Sequence, residues 1–583
     1  MKKNRKIFWW IGLLAALIII NVLASIIHFR FDLTEEKRYS LTATTRDLLR
    51  NINDNVLITV FLKGDVPAEF RRLSDATEDF LVTLRDASPS KVRYRFIDPQ
   101  EEVVSGRTWA DSISAMGASP INVTVQVKAG QENKVIFPYA LVQQGDQQQM
   151  LNLFPVSKRN PSVADLNNAE AMMEYQFAKT IDQMQRPDKT LIAYAIGHGE
   201  PTDVTSFSLL YTIDPEGVPK QSVNPQFFDV NAKTNYKLGL FNLKTQKFIP
   251  QTFDVLVIVK PTEQFTADEK LKIDQFVMRG GKVLWFVDNL NAEEDSLSIR
   301  SQIIAYERNL NIGDLLFNYG VRINADLVMD LQCGFLPFAV GGTREQPQYE
   351  FLHWNYYPLF ESRSNHAINK NIGLVAGRYV NSIDTIQTEG LRKTFLLQSS
   401  ANSRSISTPA LISPNENRNT PEDALFNQAN IPTAVILEGT FNSFFRGRLT
   451  AAQRDSLAAI GGFKDKSVDN RMIVVADGDI VLNDVSSQQG PLPMGTNLYT
   501  MGTQYEYQFA NRDFLLNCLE YLTGNANIIT TRNKEIVLRL LDQRKTQEEK
   551  TKWQLINIVV PVLLIILFGF IYQQVRRYRF ASK

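Results

Sequence analysis

Two patterns of hydrophobic positions meet in segment 253–289, which we take as the organising element of the chain. Val255–Val259 is a continuous apolar run rich in β-branched residues, which predicts a short strand buried on both faces. From Thr266, a predicted N-cap, apolar residues recur at helical spacing as far as Arg279 and the two glycines that follow it. A second apolar run, 282–287, predicts another strand. Together these patterns predict a βαβ unit within a parallel, right-handed α/β sheet.

The same sheet is predicted to continue in both directions along the chain. Apolar runs at 190–196 and 471–475 predict two further buried strands, and Asn511–Leu522 predicts a helix that closes the domain. The expected fold is therefore flavodoxin-like (amidotransferase-like). Segment 290–470 has no clear period apart from a helix predicted at Asn309–Tyr319, so we interpret it as a large insertion or subdomain.

A second, smaller βαβ pattern precedes this domain. Strands are predicted at 56–62 and 92–97 with a helix over 68–87 between them, an order typical of the start of a thioredoxin-like domain. No cysteine precedes Cys333, so the CxxC motif of a redox enzyme is absent and the domain is predicted to be a scaffold. Other expected elements are a capped helix starting at Thr42–Thr45, strands at 123–127, 135–142 and 150–154, and a helix at 164–185.

Each end of the chain contains an apolar run long enough to cross a bilayer. Ile7–Ile27 is uncharged and follows four basic residues, which favours a cytoplasmic N-terminus; a cleaved signal peptide is the alternative. Ile556–Tyr572 is the second run, for which a buried core helix is the alternative. Two spans would place both termini in the cytoplasm and the residues between them in the periplasm.

These patterns predict seven segments. They are a cytoplasmic N-terminus (1–6), a first transmembrane helix (7–27), a thioredoxin-like periplasmic domain (28–160), a flavodoxin-like α/β periplasmic domain (161–530, with an insertion at about 290–470), a juxtamembrane helix (531–552), a second transmembrane helix (553–573) and a cytoplasmic tail (574–583).

Composition narrows the class of partner. The chain has 583 residues, of which 44% are hydrophobic and 21% charged, and its net charge is +1. Proteins that bind nucleic acid usually present a strongly basic face, so no nucleic-acid partner is expected. The predicted spans make the lipid bilayer the expected surroundings of both ends.

Candidate chemistry lies where the predicted parallel strands end. If these strands are neighbours, their carboxyl ends gather five polar side chains in one crevice: His198, Glu200, Asp288, Asp477 and Asp479. One interpretation is a ligand site or an acid–base pair. The other is that these residues form tight turns and cap helices. No nucleophile follows Val259, where the chain continues Lys260-Pro261-Thr262.

Signatures of catalysis and of cofactors are absent from the sequence. It contains no P-loop, no HExxH and no GxSxG motif, so no cofactor, metal or catalytic residue is predicted. His353 lies in an aromatic stretch that could stack on a sugar or peptide, or simply pack in a core or interface. Cys518 is expected on the apolar face of its helix, and a disulfide between Cys333 and Cys518 stays open.

Several segments in order resemble the GldG family of Bacteroidetes. They are FDLTEEKRYSLTATTRDLL, GHGE, FDVLVIVKP with FVMRGGKVLWFVD, LNIGDLLFNYGVRINADLVMDLQC, AVILEGTFNSFFRGR, IVVADGD and NRDFLLNCLEYL. This resemblance covers nearly the whole chain. It implies an auxiliary or substrate-binding-type membrane subunit of a gliding-associated ABC transporter, with a permease (GldF-like) and an ATPase (GldA-like) as partners. It supplies no catalytic residues, and it does not establish that motility is involved.

The sequence thus predicts a non-catalytic, two-pass inner-membrane subunit of an ABC-type complex, with a periplasmic region for recognition or coupling. Energy would have to come from another chain, because the P-loop is missing. The alternatives are a periplasmic carbohydrate-binding or hydrolytic enzyme and a structural organiser of an envelope machine.

Overall fold

The computed structural model describes residues 40–580 apart from 53, 105, 119, 128–129, 155–162, 187, 231, 294–301, 344–345, 362–363, 371, 415–422, 459–460, 525 and 534–542. The predicted first span, Ile7–Ile27, lies outside these residues. The chain divides into two compact units, one ending at Glu535 and the other beginning at Ile536.

The N-terminal part of the first unit has eight strands and four α-helices among its described residues. The strands are Val56–Val60 (β1), Val92–Phe96 (β2), Glu102–Val104 (β3), Arg107–Thr108 (β4), Ile121–Val127 (β5), Gly130–Ile136 (β6), Tyr139–Gln144 (β7) and Gln147–Asn152 (β8); the helices are Ala43–Arg50 (α1), Ala68–Ala87 (α2), Trp109–Ala115 (α3) and Val163–Met184 (α4). Four strands form a sheet in the order β2-β1-β7-β8. Because β1 and β2 are parallel and α2 connects them, the βαβ pattern predicted here is confirmed.

One predicted strand, 135–142, is in fact two. β6 ends at Ile136 and pairs with β5, whereas β7 starts at Tyr139 and pairs with β1 and β8. Pro138 lies between them and has no backbone N–H to donate to a neighbouring strand, so the ladder breaks there. Strands β7 and β8 then pair antiparallel across a polar turn at 145–146.

In the rest of the first unit, the described residues form nineteen further strands and six α-helices. The strands are Thr190–Ile196 (β9), Tyr236–Asn242 (β10), Val255–Val259 (β11), Lys282–Phe286 (β12), Leu290–Asn291 (β13), Ile303–Glu307 (β14), Val321–Ile323 (β15), Asp326–Asp330 (β16), Cys333–Gly342 (β17), Pro347–Phe360 (β18), Val375–Ala376 (β19), Ile383–Thr385 (β20), Leu391–Gln398 (β21), Ser403–Ser407 (β22), Ala410–Ile412 (β23), Pro432–Asn442 (β24), Lys466–Val475 (β25), Val485–Ser486 (β26) and Gly490–Pro491 (β27). The helices are Phe207–Ile213 (α5), Ala267–Met278 (α6), Gly313–Asn318 (α7), Ala451–Ala458 (α8), Asn511–Thr523 (α9) and Ala526–Ile529 (α10).

The main sheet has seven strands in the order β10-β9-β11-β12-β25-β24-β21. The first five are parallel to their neighbours, and Val255 of β11 lies opposite Lys282 of β12, which confirms the βαβ unit at 253–289. β24 and β21 are antiparallel, so the sheet is mixed rather than parallel throughout. Both come from segment 290–470, so this segment adds to the main sheet as well as forming smaller sheets of its own.

The central strands are buried on both faces, as their continuous apolar runs predict. Alternate residues of β11 enter two different core clusters: Val255, Val257 and Val259 pack on one side, and Leu256 and Ile258 on the other. Helices α5 and α9 cover the first face, and α6 and α7 cover the second. The sheet is therefore the middle layer of an α/β sandwich.

Helix α6 begins as the sequence predicts, and α7 is shorter than predicted. The Thr266 hydroxyl accepts the backbone N–H of Glu269, and the Glu269 carboxylate accepts that of Thr266, which forms a capping box. Helix α7 starts at Gly313 instead of Asn309 because Asn309 and Asn311 have positive φ angles of 50° and 59°, which no helix accommodates.

Helix α4 belongs to two cores at once. Phe177 and Ile181 are buried in the core of the N-terminal sheet, whereas Tyr175 and Ala178 belong to a core of the main sheet. A helix that follows the predicted boundary at 160 is thus shared by the regions on both sides of it. Helix α1 also packs on α4 and on α10.

The second unit contains one long helix, Gln543–Phe580 (α11), of 38 residues. Within it, Glu549–Tyr578 is the one helix among the described residues that is long and apolar enough to cross a membrane. None of its apolar window is buried inside the structure, so the alternative of a buried core helix is wrong for this predicted span. Pro561 lies inside the helix.

Candidate functional site

The ends of four parallel strands bring the predicted site residues to one edge of the main sheet. β9, β11, β12 and β25 are neighbours, and the chain leaves each of them at the same edge. His198 and Glu200 follow β9, Asp288 follows β12, and Asp477 and Asp479 follow β25. The structure resolves these residues into two separate groups, one centred on Lys260 and one on His198.

Lys260 lies at the centre of the first group, which we call the lysine–carboxylate cluster (Lys260, Asp288, Glu293, Asp477 and Asp479). Its Nζ is 2.6 Å from Asp479 Oδ1, 2.9 Å from Glu293 Oε2 and 3.4 Å from Asp288 Oδ2. Asp288 follows β12, Glu293 follows β13 and Asp479 follows β25, so one ammonium links three loops. The sequence analysis did not predict a role for Lys260, because this position was considered only as that of a possible nucleophile.

The backbone at Lys260 is held in an unusual conformation. Its φ angle is 45°, in the left-handed region that costs a non-glycine residue about 1–2 kcal/mol. The Lys260 N–H donates to the carbonyl of Phe286 at 2.8 Å. Gly478 makes room for this turn, because a Cβ there would lie only 2.7 Å from the Cβ of Lys260. A strained residue at a strand end is a frequent feature of functional sites.

Two aspartates of the cluster also hold turns, as one of the two sequence interpretations predicted. Asp477 Oδ1 accepts the N–H of Asp479 at 2.7 Å, and its Oδ2 accepts the N–H of Arg378 at 2.8 Å. Asp288 Oδ1 accepts the N–H of Gly478. These carboxylates therefore order the loops after β12 and β25, and Asp288 also faces Lys260.

Burial shapes the protonation of the lysine–carboxylate cluster. Burial raises the pKa of Asp288 to about 6, against the opposing attraction of Lys260. Burial and the neighbouring carboxylates of Asp288 and Asp479 raise the pKa of Asp477 well above its usual range. Burial disfavours the Lys260 ammonium, but Asp479, Asp288 and Glu293 outweigh it and raise the pKa of Lys260. Lys260 is thus a permanent cation and not a nucleophile.

The cluster has the donor set of a cation site, and Lys260 already supplies the cation. Carboxylate oxygens of Asp288, Asp477 and Asp479 lie within 4.8 Å of one another, close enough to share a metal ion. The Lys260 ammonium contacts two of these three residues. The ammonium therefore supplies positive charge where the carboxylates of Asp288 and Asp479 converge.

The predicted acid–base pair of His198 and Glu200 is buried and does not face the cleft. His198 Nδ1 lies 3.7 Å from Glu200 Oε1, and the imidazole stacks on Phe265 with ring centroids 3.9 Å apart. Its Nε2 lies 3.0 Å from Glu269 Oε2, while Glu200 accepts the backbone N–H of His198 at 2.7 Å. The imidazole is fully shielded from solvent. This geometry fits a structural link between the loop after β9 and helix α6.

The two glutamates control the charge of His198. Burial disfavours the imidazolium, but the neighbouring carboxylates of Glu200 and Glu269 outweigh it and raise the pKa of His198. Although burial acts to raise it, the pKa of Glu269 is lowered by its hydrogen bonds to Thr266 and His198. His198 and Glu269 thus favour the charged form of each other.

A cleft of about 430 Å³ lies beside the lysine–carboxylate cluster. Its charged lining comes from Lys260, Glu293, Arg378, Asp479 and Asp484. The guanidinium of Arg378 binds Asp484 in a bidentate manner, at 2.7 and 2.9 Å, and the ring of Tyr499 lines the same cleft. The cleft lies where α/β sheets usually bind ligands, outside the carboxyl ends of the parallel strands.

The remaining candidates from the sequence have packing roles. His353 is tilted against Phe335 at 4.3 Å within the β17–β18 pair, which favours packing over stacking on a ligand. Cys333 and Cys518 are both buried and both free, so the open question of a disulfide between them is answered in the negative. Cys518 belongs to the main core, as the apolar face of α9 predicts.

Comparison with known proteins identifies the class. The family described as an ABC-type uncharacterized transport system matches residues 189–518, more than half of the chain, and this protein belongs to that family. A domain of unknown function matches residues 35–143.

Individual relatives add little about function. An uncharacterized protein of Borreliella burgdorferi is 21% identical over 380 residues, which is 63% of this chain and 62% of that protein. The chain thus spans less than two thirds of the length of this curated relative. Among solved structures, the mmIFT52 N-terminal domain is 12% identical, with 58% of this chain and 98% of that one covered and a TM-score of 0.29.

Proposed function

We propose that this protein is the membrane-anchored auxiliary subunit of an ABC-type transport complex and does not itself hydrolyse ATP. Membership of the transport family supports the first part. The sequence contains no P-loop, which supports the second. The apolar helix Glu549–Tyr578 is the observation that carries the proposal, because it provides a means of insertion beside a permease.

Both ends of the folded region lie against helix α4, which supports anchorage on the same side of a membrane. At the N-terminal end, the backbone N–H of Thr42 and the hydroxyl of Thr45 both donate to Glu174 Oε1 at 2.7 Å. At the other end, the guanidinium of Arg532 lies over the ring of Tyr175 at 5.0 Å. The chain thus enters and leaves the first unit at neighbouring points.

The proposed topology follows from this arrangement. Ile7–Ile27 forms a first span and α11 a second, so both termini are cytoplasmic and the region between them is periplasmic, in the inner membrane. Residues 28–160 would form the thioredoxin-like domain and 161–530 the flavodoxin-like domain. The βαβ units at β1–β2 and β11–β12 support these two assignments.

The proposed partners are a permease and an ATPase, GldF-like and GldA-like in view of the resemblance to the GldG family. A role in gliding motility rests on that resemblance alone. We assign the periplasmic region to recognition or coupling, and the cleft beside the lysine–carboxylate cluster is the place where recognition would occur.

A hydrolytic function has less support. The predicted acid–base residue His198 is shielded from solvent, and Lys260 is held as a cation. Among the described residues, those that line the cleft include no histidine, cysteine or serine. A catalytic role would therefore have to rest on the cleft carboxylates alone.

Co-purification from the native host tests the proposal. The full chain, tagged at one end and extracted in mild detergent, should recover a permease and an ATPase in defined ratio, together with ATPase activity. The matched control is an unrelated membrane protein with two spans and the same tag. If neither partner is recovered with the tagged chain after mild crosslinking in cells, the subunit assignment is wrong.

A further inference from the structure

A buried arginine lies close to the end of the described part of the first unit. After helix α10, Thr530–Asn533 forms a short 3₁₀ helix, and Arg532 within it is only 4% exposed. Arginine is almost never fully buried unless an anion pairs with it. Among the described residues, however, no carboxylate lies within ion-pair distance of Arg532. Within this part of the chain, Arg532 is therefore a buried cation without an anion.

The contacts that hold Arg532 are few. Its guanidinium lies over the ring of Tyr175 at 5.0 Å, and its Nη2 donates to the carbonyl of Lys370 at 3.4 Å. Its Nε is shielded from solvent and finds no acceptor among the described residues. One aromatic ring and one long hydrogen bond return less than the cost of taking a guanidinium out of water. The docked position of Arg532 is therefore expected to be only marginally stable.

The ring on which Arg532 docks is fixed much more firmly. The Tyr175 hydroxyl donates to Glu520 Oε2 at 2.6 Å, and Lys179 donates to the same oxygen at 2.5 Å, so α4 and α9 are joined. Helix α10, by contrast, has only four residues, and it packs on α4 and contributes Ile528 and Ile529 to the core of the main sheet. A local opening would thus detach α10 and leave α4 and α9 in place.

We propose that Ala526–Asn533 is a releasable latch, in which Arg532 leaves the ring of Tyr175 for solvent and α10 detaches from α4 while the rest of the first unit stays folded. Hydration of the guanidinium favours release, and burial of Ile528 and Ile529 opposes it. Local opening is expected where few buried apolar contacts hold a short element. This inference goes beyond the proposed transport function, because it concerns a conformational change of the chain by itself.

Two substitutions of Arg532 separate a latch from an ordinary structural contact. R532M keeps an unbranched side chain of similar reach but removes the charge that favours release, so it should slow local opening about tenfold. R532K keeps a charge that is more strongly hydrated and stacks less well on a ring, so it should speed opening about threefold. If Arg532 were only a structural contact, both variants would loosen the docked state.

Hydrogen exchange followed by mass spectrometry on the full chain in nanodiscs measures the opening. In the wild type, a peptide covering 526–533 should exchange faster than one covering α9, and its rate should be highest in R532K and lowest in R532M. Peptides from α6 should exchange equally in all three chains. T531C gives a second readout: Thr531 is 1% exposed, so a cysteine there should react with maleimide only when the latch opens, with the same order of rates.

K270M is the matched control. It also replaces a buried cation by methionine, but Lys270 has a carboxylate partner, Asp314, at 2.7 Å. Because this substitution breaks an ion pair, exchange in α6 should become faster, whereas R532M should make exchange at 526–533 slower. The opposite signs would show that the missing anion, and not the loss of a cation as such, decides the outcome at Arg532.

Three outcomes would overturn the inference. They are exchange at 526–533 that is as slow as in α9, exchange in R532M that equals or exceeds that of the wild type, and a change in R532M that extends to α6. The experiment uses this chain alone, so its result is independent of whether a permease or ATPase co-purifies. Failure of the latch can therefore be told apart from failure of the subunit assignment.

Discussion

Lys260 illustrates how one side chain can define a site that its neighbours only suggest. The carboxylates after β12 and β25 could be anticipated, because aspartates that directly follow buried strands gather at one edge of a parallel sheet. Their counter-ion could also have been anticipated, since a lysine that directly follows a fully buried strand must find anions. The ion pair of Arg378 with Asp484 could not be anticipated, because both residues come from loops whose positions depend on long-range packing.

Removal of the Lys260 charge should destabilise the protein strongly. K260M leaves Asp288, Glu293 and Asp479 without their shared cation, and breaking a buried ion pair in this way costs about 3–5 kcal/mol. Chemical denaturation of the full chain in detergent measures the change. K270M is the control: Asp314, its partner, is 46% exposed, so we expect a loss of about 1 kcal/mol. Equal losses would contradict the central role given to Lys260.

His198 should make stability depend on pH. Its pKa is raised in the folded state, so its stabilisation is fully present below about pH 6.5 and is lost as the pH rises through the folded pKa. The pKa of Glu269 is lowered, so its stabilisation is present above about pH 4.5 and is lost on acidification through the folded pKa. Above pH 6.5, the melting temperature of H198Q should therefore change less with pH than that of the wild type.

His366 provides a control of opposite sign. Burial lowers its pKa, so the folded state holds fewer protons there and stability rises with pH around the unfolded value of about 6.5. H366Q should remove that rise and leave the His198 effect in place. A wild-type profile that neither substitution changes would refute the charge assignments.

At the scale of elements, helix α6 shows local sequence and long-range packing in agreement. Its N-cap, its apolar stripe and its Gly-Gly end were predicted from the sequence, and each is present in the structure, where the N-cap is part of a capping box. The sequence did not assign β21 and β24 to the main sheet, because the hydrophobic pattern of a strand does not reveal an antiparallel pairing partner that is distant in the sequence. The predicted strand 135–142 is divided at Pro138 into β6 and β7, which pair with different strands. The sequence does not show which partner each part pairs with.

The capping box gives a prediction at this scale. T266A removes the hydroxyl that accepts the Glu269 N–H and should cost about 1 kcal/mol of unfolding free energy. T266S keeps that hydroxyl and should lie within a few tenths of a kcal/mol of the wild type. Denaturant unfolding distinguishes the two, and similar losses in both variants would assign the effect to the lost methyl group instead.

At the scale of the whole molecule, the two native cysteines should be unreactive. Both are buried and free, and burial raises the pKa of each thiol, so neither should react with a maleimide in the folded chain. Labelling should appear only after denaturation, and non-reducing gels should show no disulfide. Rapid labelling of the native chain would mean that one of the cores opens.

Because the native cysteines should not react, the proposed topology can be mapped by adding single cysteines to the wild-type chain. D146C lies in the exposed turn between β7 and β8 and should react with an impermeant maleimide from the periplasmic side. A cysteine appended after Lys583 should react only after the inner membrane is opened. Labelling of both sites from the same side would contradict the two-span arrangement.

The length of α11 has a mechanical consequence. Its 38 residues extend for about 57 Å, whereas the hydrocarbon core is about 30 Å thick. The part before the apolar stretch, Gln543–Lys552, forms about 15 Å of the same continuous rod. A change of tilt by about 20° inside the bilayer would swing the end of that rod sideways by about 5 Å. In the proposed complex such a helix would act as a lever, and a motion started by a permease would reach the aqueous side as displacement without any ligand crossing the membrane.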